Sequence, residues 1–269
     1  MTTKRLSISH STHYRFDRPV TYALQRLKLR PKDNAGQKVV DWSIDIDGGK
    51  IQSACEDAHL NHVALVSVDS GVTEVTIKCT GTVETGNGDG IIGKHRGSIP
   101  LWCFLKPTRL TTAGKAVSKM IGSLKIDPAN VLGGLHTLSD IIREQLPYAE
   151  GYTNANSTAE QAVSVGKGVC QDHAHIFLAA ARHLGVPARY VSGYLLMEGV
   201  IEQTASHAWV EAHVEPLGWV GFDVSNGYSP DQRYIRVATG FDYYDAAPIT
   251  GLSFGANDES MVVSLRVEQ

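Results

Sequence analysis

The chain has 269 residues, with 42% hydrophobic and 20% charged residues and a formal charge of −3. That length suffices for one large domain or two ordinary ones. The lack of any Lys/Arg block argues against nucleic-acid and anionic-membrane partners, and no apolar run reaches membrane-spanning length. Met1-Thr2-Thr3-Lys4-Arg5 leads into strand-like alternation and not into an apolar signal-peptide core. The four cysteines (Cys55, Cys79, Cys103, Cys170) lack CxxC spacing. Reduced thiols are therefore expected, not a disulfide framework or a structural zinc site, and so is a cytoplasmic location.

Residues 1–105 read as a β-rich domain. Leu6, Ile8 and His10 alternate with polar neighbours, and Leu24, Leu27 and Leu29 flank basic residues. Trp42–Ile46, Val63–Val68 and Val72–Cys79 have strand pattern, with turn chemistry at Asp47-Gly48-Gly49 and Asp69-Ser70-Gly71. Short strands with regular turns and no helical period predict a β-sandwich. Gly86–Gly90 lacks the P-loop lysine and the terminal glutamate of a calcium loop, so it reads as a surface loop. Residues 106–269 read as a second, α+β domain. Leu110–Leu124 and Leu135–Leu146 have helical periodicity, and Ser157-Thr158-Ala159-Glu160 matches a capping box that opens a short helix. Strand patterns follow at Tyr190–Leu196, Ser206–Val214, Trp219–Val224, Tyr234–Val237 and Met261–Val267.

The chemistry centres on Gly168-Val169-Cys170-Gln171-Asp172-His173-Ala174-His175, which opens a helix running to Leu184 before the stop at Gly185 and Pro187. Ala174, Phe177, Leu178 and Ala181 form one apolar stripe, and Cys170 falls on that face at the helix N-terminus. Free N–H groups and the positive helix end favour the nucleophilic thiolate there. In Ser206–Val214 the odd positions share a face, so His207 projects with Trp209, Glu211 and His213. In the next strand Asp223 shares a face with Trp219 and Gly221. A three-residue loop at Pro216-Leu217-Gly218 puts His207 and Asp223 on one side, about four residues out of exact opposition. A Cys–His–Asp set has a specific logic. The imidazole manages the thiol proton, the carboxylate orients the ring, and backbone donors such as the Cys170 N–H receive an oxyanion.

Four blocks occur in order: Gly168–Asp172, Gly185–Tyr194, Ser206–Glu211 and Gly218–Asp223. Together they closely resemble the bacterial transglutaminase-like superfamily, whose members are often described as cysteine proteases. His10–Phe16 with Leu27–Pro31 resembles that family's β-rich N-terminal domain, and Ile235–Tyr243 a segment after its catalytic Asp. The resemblance implies a papain-like α+β core with Cys170 as nucleophile, His207 as base and Asp223 as orienting carboxylate. No cofactor is expected. The family usually has Asp-Pro-Thr-Asn where this chain reads Asp223-Val224-Ser225-Asn226. Animal transglutaminases supply a second oxyanion donor from an upstream Trp, and no Trp lies between Trp102 and Cys170. Tyr148 or Tyr152 is the expected substitute, with Gln171 and Trp209 as substrate-lining candidates.

Three rival readings stand beside this one. His173 and His175, with Asp172, His207 or His213, could be imagined as metal ligands, but residues two apart on a helix point about 200° from each other; no metal is expected. A non-catalytic binding module on the same fold is the second rival. The third lies within catalysis, where the acyl-enzyme is resolved by water or by an amine. Hydrolysis of a protein or peptide amide is the expectation, since the sequence shows no acidic calcium loop and no obvious amine-binding cluster.

Overall fold

The computed structural model describes residues 3–256 and 258–269. The first seven strands are β1 (Thr3–Phe16), β2 (Tyr22–Leu27), β3 (Gln37–Asp47), β4 (Gly49–Glu56), β5 (His62–Val68), β6 (Glu74–Gly86) and β7 (Ile91–Gly93). Alternation decides their faces: along β1 Leu6, Ile8, His10, Thr12, Tyr14 and Phe16 all point inward. Tyr14, Phe16, Val75, Ile77 and Cys79 from one sheet share an apolar core with Ala23, Leu27, Val66 and Val68 from another.

A 3₁₀ turn at Leu101–Leu105 leads to α1 (Lys115–Ile121), α2 (Val131–Gln145), α3 (Ala159–Val165) and α4 (Cys170–His183). The helix expected over Leu110–Leu124 is shorter, because Gly114 and Gly122 bound it. The capping box is also displaced by one residue. Thr158 and Gln161 make it, while the Glu160 carboxylate turns to the neighbouring helix and accepts from the N–H groups of Gly114, Ala116 and Val117. Helix α4 carries no exposed polar face over its middle: every residue from Asp172 to Arg182 is buried. The apolar stripe expected from sequence underestimates this, since α4 is the central helix of the unit. Arg182 is accommodated by donating to the carbonyls of Phe104, Ala188 and Phe241 and to the Thr111 hydroxyl.

The remaining elements are β8 (Ala188–Leu195), β9 (Glu202–Gln203), β10 (His207–Val214), β11 (Gly218–Phe222), β12 (Tyr234–Gly240), α5 (Tyr243–Ala246), β13 (Ile249–Phe254) and β14 (Glu259–Glu268). Three sheets result, ordered β3-β6-β1-β14-β9, β13-β2-β5-β4 and β12-β8-β10-β11-β7. This order corrects the expected division into 1–105 and 106–269. Strand β13 pairs with β2, and β14 pairs with β1 along ten residues, so the C-terminal segment completes the N-terminal sheets. In the other direction β7 adds to β11, and the glycine loop before it docks there through Gly221 N–H to the Gly90 carbonyl, 2.8 Å. Asn87, Gly88 and Asp89 are exposed, as expected of a surface loop, and Gly90 is buried at the contact. Ladders between segments this far apart leave no mark on local periodicity.

Candidate active site

Cys170 is the first residue of α4, so its N–H is among those with no intrahelical acceptor. The approach to it is shaped by Asp172, whose buried Oδ2 accepts from the Val169 N–H at 2.8 Å and from the Thr153 hydroxyl at 2.6 Å. A Cβ at Gly168 would meet that carboxylate at 2.7 Å, which is why the chain needs glycine there. Gly168 also bridges to Tyr148, with the Ala149 N–H on the Gly168 carbonyl at 2.8 Å. A residue 22 positions before Cys170 is thereby fixed beside it.

His207 begins β10. The β10–β11 register sets Val214 opposite Gly218 and Val210 opposite Phe222. The loop is therefore Glu215–Leu217, one residue earlier than expected. Extending that register puts Asp223 opposite Trp209, about two residues from His207 rather than four, a diagonal that side chains span. His207 Nε2 meets Asp223 Oδ2 at 2.6 Å. The same oxygen accepts from Tyr234 Oη at 2.6 Å and Asn226 Nδ2 at 2.7 Å, and Oδ1 takes the Asn226 N–H at 3.2 Å. With Nε2 engaged, Nδ1 is the ring nitrogen left to face the Cys170 sulfur, which lines the same cleft. Burial opposes charge on the ring, but hydrogen bonds to Asp223 and Cys170 and their negative charges outweigh it, raising His207 to about 10. Burial likewise works against the Asp223 carboxylate, yet the His207, Tyr234 and Asn226 donors hold it below its ordinary value. The arrangement stores a proton on an imidazole beside a sulfur, with a carboxylate behind.

These groups open into a cleft of about 530 Å³, lined by Cys170 and His207 together with Tyr148, Gln171, Tyr190 and the β9 segment. Of the further sequence candidates, Tyr148 and Gln171 reach the cleft, whereas Tyr152 and Trp209 do not line it. Tyr152 is exposed with the Lys167 ammonium 4.6 Å from its ring centroid, within cation–π range. Trp209 is buried behind the site, stacked on His207 at 6.2 Å between centroids and packed against Val191, Leu195 and Tyr234. Ala208, Val210 and Ala212 face α4, so Trp209 lies on the other side of the sheet, whereas His207, the first residue of β10, sits at the strand's end and lines the cleft with Cys170. Burial first, then the charges of Cys170 and Glu150, push the Tyr148 phenol up to about 12, so its O–H remains a donor.

His173 and His175 turn apart. His173 contacts the Ser225 hydroxyl at 2.7 Å and the Leu146 carbonyl at 2.8 Å, and His175 takes the Tyr243 N–H at 3.3 Å. Among the described residues no group of three or more His, Cys, Asp or Glu is arranged to hold a metal ion. Tyr234 and Asn226 are partners that sequence reasoning missed. The Asp-x-x-Asn spacing of Asp223 and Asn226 was the available signal, since short polar side chains at that spacing fold back on a turn.

Residues 124–224 match the transglutaminase-like superfamily, and residues 6–84 match the bacterial transglutaminase-like N-terminal region. The chain belongs to the transglutaminase-like superfamily. A solved structure from Cytophaga hutchinsonii, described as a "Putative Cysteine Protease", superposes with a TM-score of 0.80 at 20% identity, covering 100% of this chain and 91% of that one. At that identity the likeness speaks for a shared transglutaminase-like α+β fold. An uncharacterized protein of Mycobacterium leprae is 29% identical over 97% of this chain and 98% of its own length. Another, from Mycobacterium bovis, is 26% identical over 99% and 92%. The superfamily match ends one residue after Asp223 and so contains the whole Cys170–His207–Asp223 set, whereas Tyr234 lies outside it. No helix among the described residues is long and apolar enough to cross a membrane.

Proposed function

We propose that this transglutaminase-like protein hydrolyses amide bonds of protein or peptide substrates through a Cys170–His207–Asp223 triad. The observation that carries the reading is a helix N-terminal thiol sharing one cleft with a buried imidazole whose other nitrogen sits 2.6 Å from a buried carboxylate. On the papain-like core this implies, with the N-terminal sheets as a β-sandwich beside it, the sulfur attacks the amide carbonyl. The resulting oxyanion meets the Cys170 N–H and the Tyr148 O–H. His207 passes its proton from Nδ1 to the departing amine, leaving a thioester. The neutral ring then takes a proton from water as the water oxygen attacks the thioester. Collapse of that second adduct breaks the C–S bond and frees the acid, and the expelled thiolate is left beside the imidazolium that took the water proton. Asp223 keeps the ring in the tautomer this cycle needs. A cytoplasmic location without cofactor, nucleic-acid or membrane partner belongs to the same reading.

One observation favours a second reading. Glu150 and Glu202 both line the cleft, and carboxylates there suit an ammonium-bearing acceptor, so transamidation competes with hydrolysis. Water at about 55 M has the advantage over a dilute amine unless the site excludes it. The test supplies millimolar labelled cadaverine beside an active amide substrate and compares hydrolysed with coupled product. Hydrolysis little changed by the amine is expected. Predominantly coupled product would make the protein a transglutaminase in activity.

A further inference from the structure

A second large cavity lies behind the catalytic sheet, where the segment after β2 meets the loop after β7. It measures about 690 Å³ and shares no lining residue with the cleft. Six cationic side chains line it: Arg30, Lys32, Lys94, Arg96, Arg189 and Arg236. Among the described residues only two carboxylates line it with them, Asp33 and Glu56, and Asp33 Oδ1 accepts from the Val39 N–H at 2.8 Å. In a chain whose formal charge is −3, this concentration of positive charge is local and against the overall trend.

The deeper wall sharpens the imbalance. Lys32, Arg189 and Arg236 are each more than nine-tenths buried. Their one buried carboxylate neighbour is Glu211, which accepts from Arg189 Nε at 2.6 Å and from Arg236 Nε and Nη2 at 2.6 and 3.1 Å. Two guanidiniums thus share a single carboxylate. Lys32 Nζ donates to the His59 carbonyl and the Thr239 hydroxyl, both at 2.8 Å and both uncharged. Asp57, the next nearest acid, is committed to Lys28 at 2.6 Å, and Asp245 faces His59 at 3.7 Å. Burial and the charges of Arg236 and Arg189 hold the Lys32 ammonium well below its ordinary value, the expected strain of like charges packed together. Uncompensated buried charge is costly and calls for a counter-ion. The third N–H of Lys32 and the forks of two arginines provide donors for it.

We propose that this cavity is a binding site for a small multivalent anion, of the phosphate or polycarboxylate kind. A single carboxylate leaves the wall still positive, whereas an anion with two or more charges balances it. The volume falls in the range that encloses small molecules. Because the site is lined both by the N-terminal strands and by Arg189 on β8 and Arg236 on β12, its occupant binds across the two.

The test is calorimetric titration of the full chain, at fixed ionic strength, with inorganic pyrophosphate and separately with citrate, chloride serving as the monovalent control. Stoichiometric binding of at least one polyanion is expected, together with a rise in melting temperature. Tenfold tighter pyrophosphate assigns a phosphate ligand, and tenfold tighter citrate a carboxylate one. Lys32→Met removes a buried group and risks the fold. The double variant Arg30→Gln/Arg96→Gln therefore accompanies it, since both side chains are exposed. That variant should melt as the parent does without anion yet bind at least tenfold more weakly. Binding no tighter than chloride, or polyanion affinity unchanged in the double variant, overturns the proposal.

Discussion

Replacing Asp223 by Asn isolates what the buried carboxylate does for His207. The chain contains its own reference for an imidazole buried without a carboxylate partner: burial takes His10 down to about 4, and His175, with Arg182 nearby, to about 3. His207, equally buried, stands at about 10 because Asp223 and Cys170 each give it a hydrogen bond and a negative charge. Losing the Asp223 charge lowers the ring from that value towards the range of the unpartnered histidines. The sign follows. The stability His207 lends is fully present below its ordinary 6.5 and is lost as pH rises through about 10. That from Asp223 is present above its ordinary 3.8 and fades as pH falls through its lowered value. In Asp223→Asn the upper limit moves towards neutrality, and the amide loses one of the acceptor sites that Tyr234 and Asn226 now use. Turnover should fall by ~10²–10⁴, equivalent to ~3–5.5 kcal/mol of barrier. The assay is amide hydrolysis from pH 5 to 10.5, beside thiolate absorbance over the same range. A variant that retains a tenth of parent kcat/KM with an unmoved alkaline limb would refute the assigned role of Asp223.

Brief iodoacetamide treatment near neutral pH should label Cys170 first, although Cys55 is the more exposed, because only Cys170 has an imidazole partner; burial pushes Cys79 up to about 12. Peptide mapping that finds Cys55 modified faster in folded protein contradicts this. Tyr148→Phe should lower kcat by roughly 10²-fold with KM little changed, as expected for a donor used in the transition state; unaltered kcat rules the phenol out as an oxyanion donor. Glu211→Gln strips the counter-charge from Arg189 and Arg236 and should destabilise the fold by ~3–5 kcal/mol in urea titration. An unchanged midpoint shows that some other group balances those arginines.

What could be seen in the sequence was whatever local spacing encodes. The start of α4 at Cys170 follows from Gly168, the apolar period and the Gly185–Pro187 stop. The shared face of His207 and Asp223 follows from strand parity plus a short loop. Parity also contained the answer for Trp209, because Ala208 and Val210 are the small and apolar residues a helix packs on. The expectation that Trp209 lines the cleft overlooked this. Tyr148 depended on a bridge to Gly168, and Tyr234 on a strand returning beside β8, neither of which has a local signature. The same blindness placed the domain division at residue 105. Periodicity shows that β14 is a strand, but nothing in it says that the partner is β1.

That pairing has a consequence for the order in which the molecule is made. Glu202 and Gln203, which line the cleft, receive their sheet partners from Arg266 and Leu265. Strand β14 is in turn held by β1, so the ladder joins the two most distant described parts of the chain, Ser7 to Glu268. Closing such a span carries a large entropic penalty before any contact rewards it, and slows folding. During synthesis, Cys170, His207 and Asp223 all leave the ribosome before β14 does. The wall of the cleft is therefore finished late, after Cys170, His207 and Asp223 have all been made.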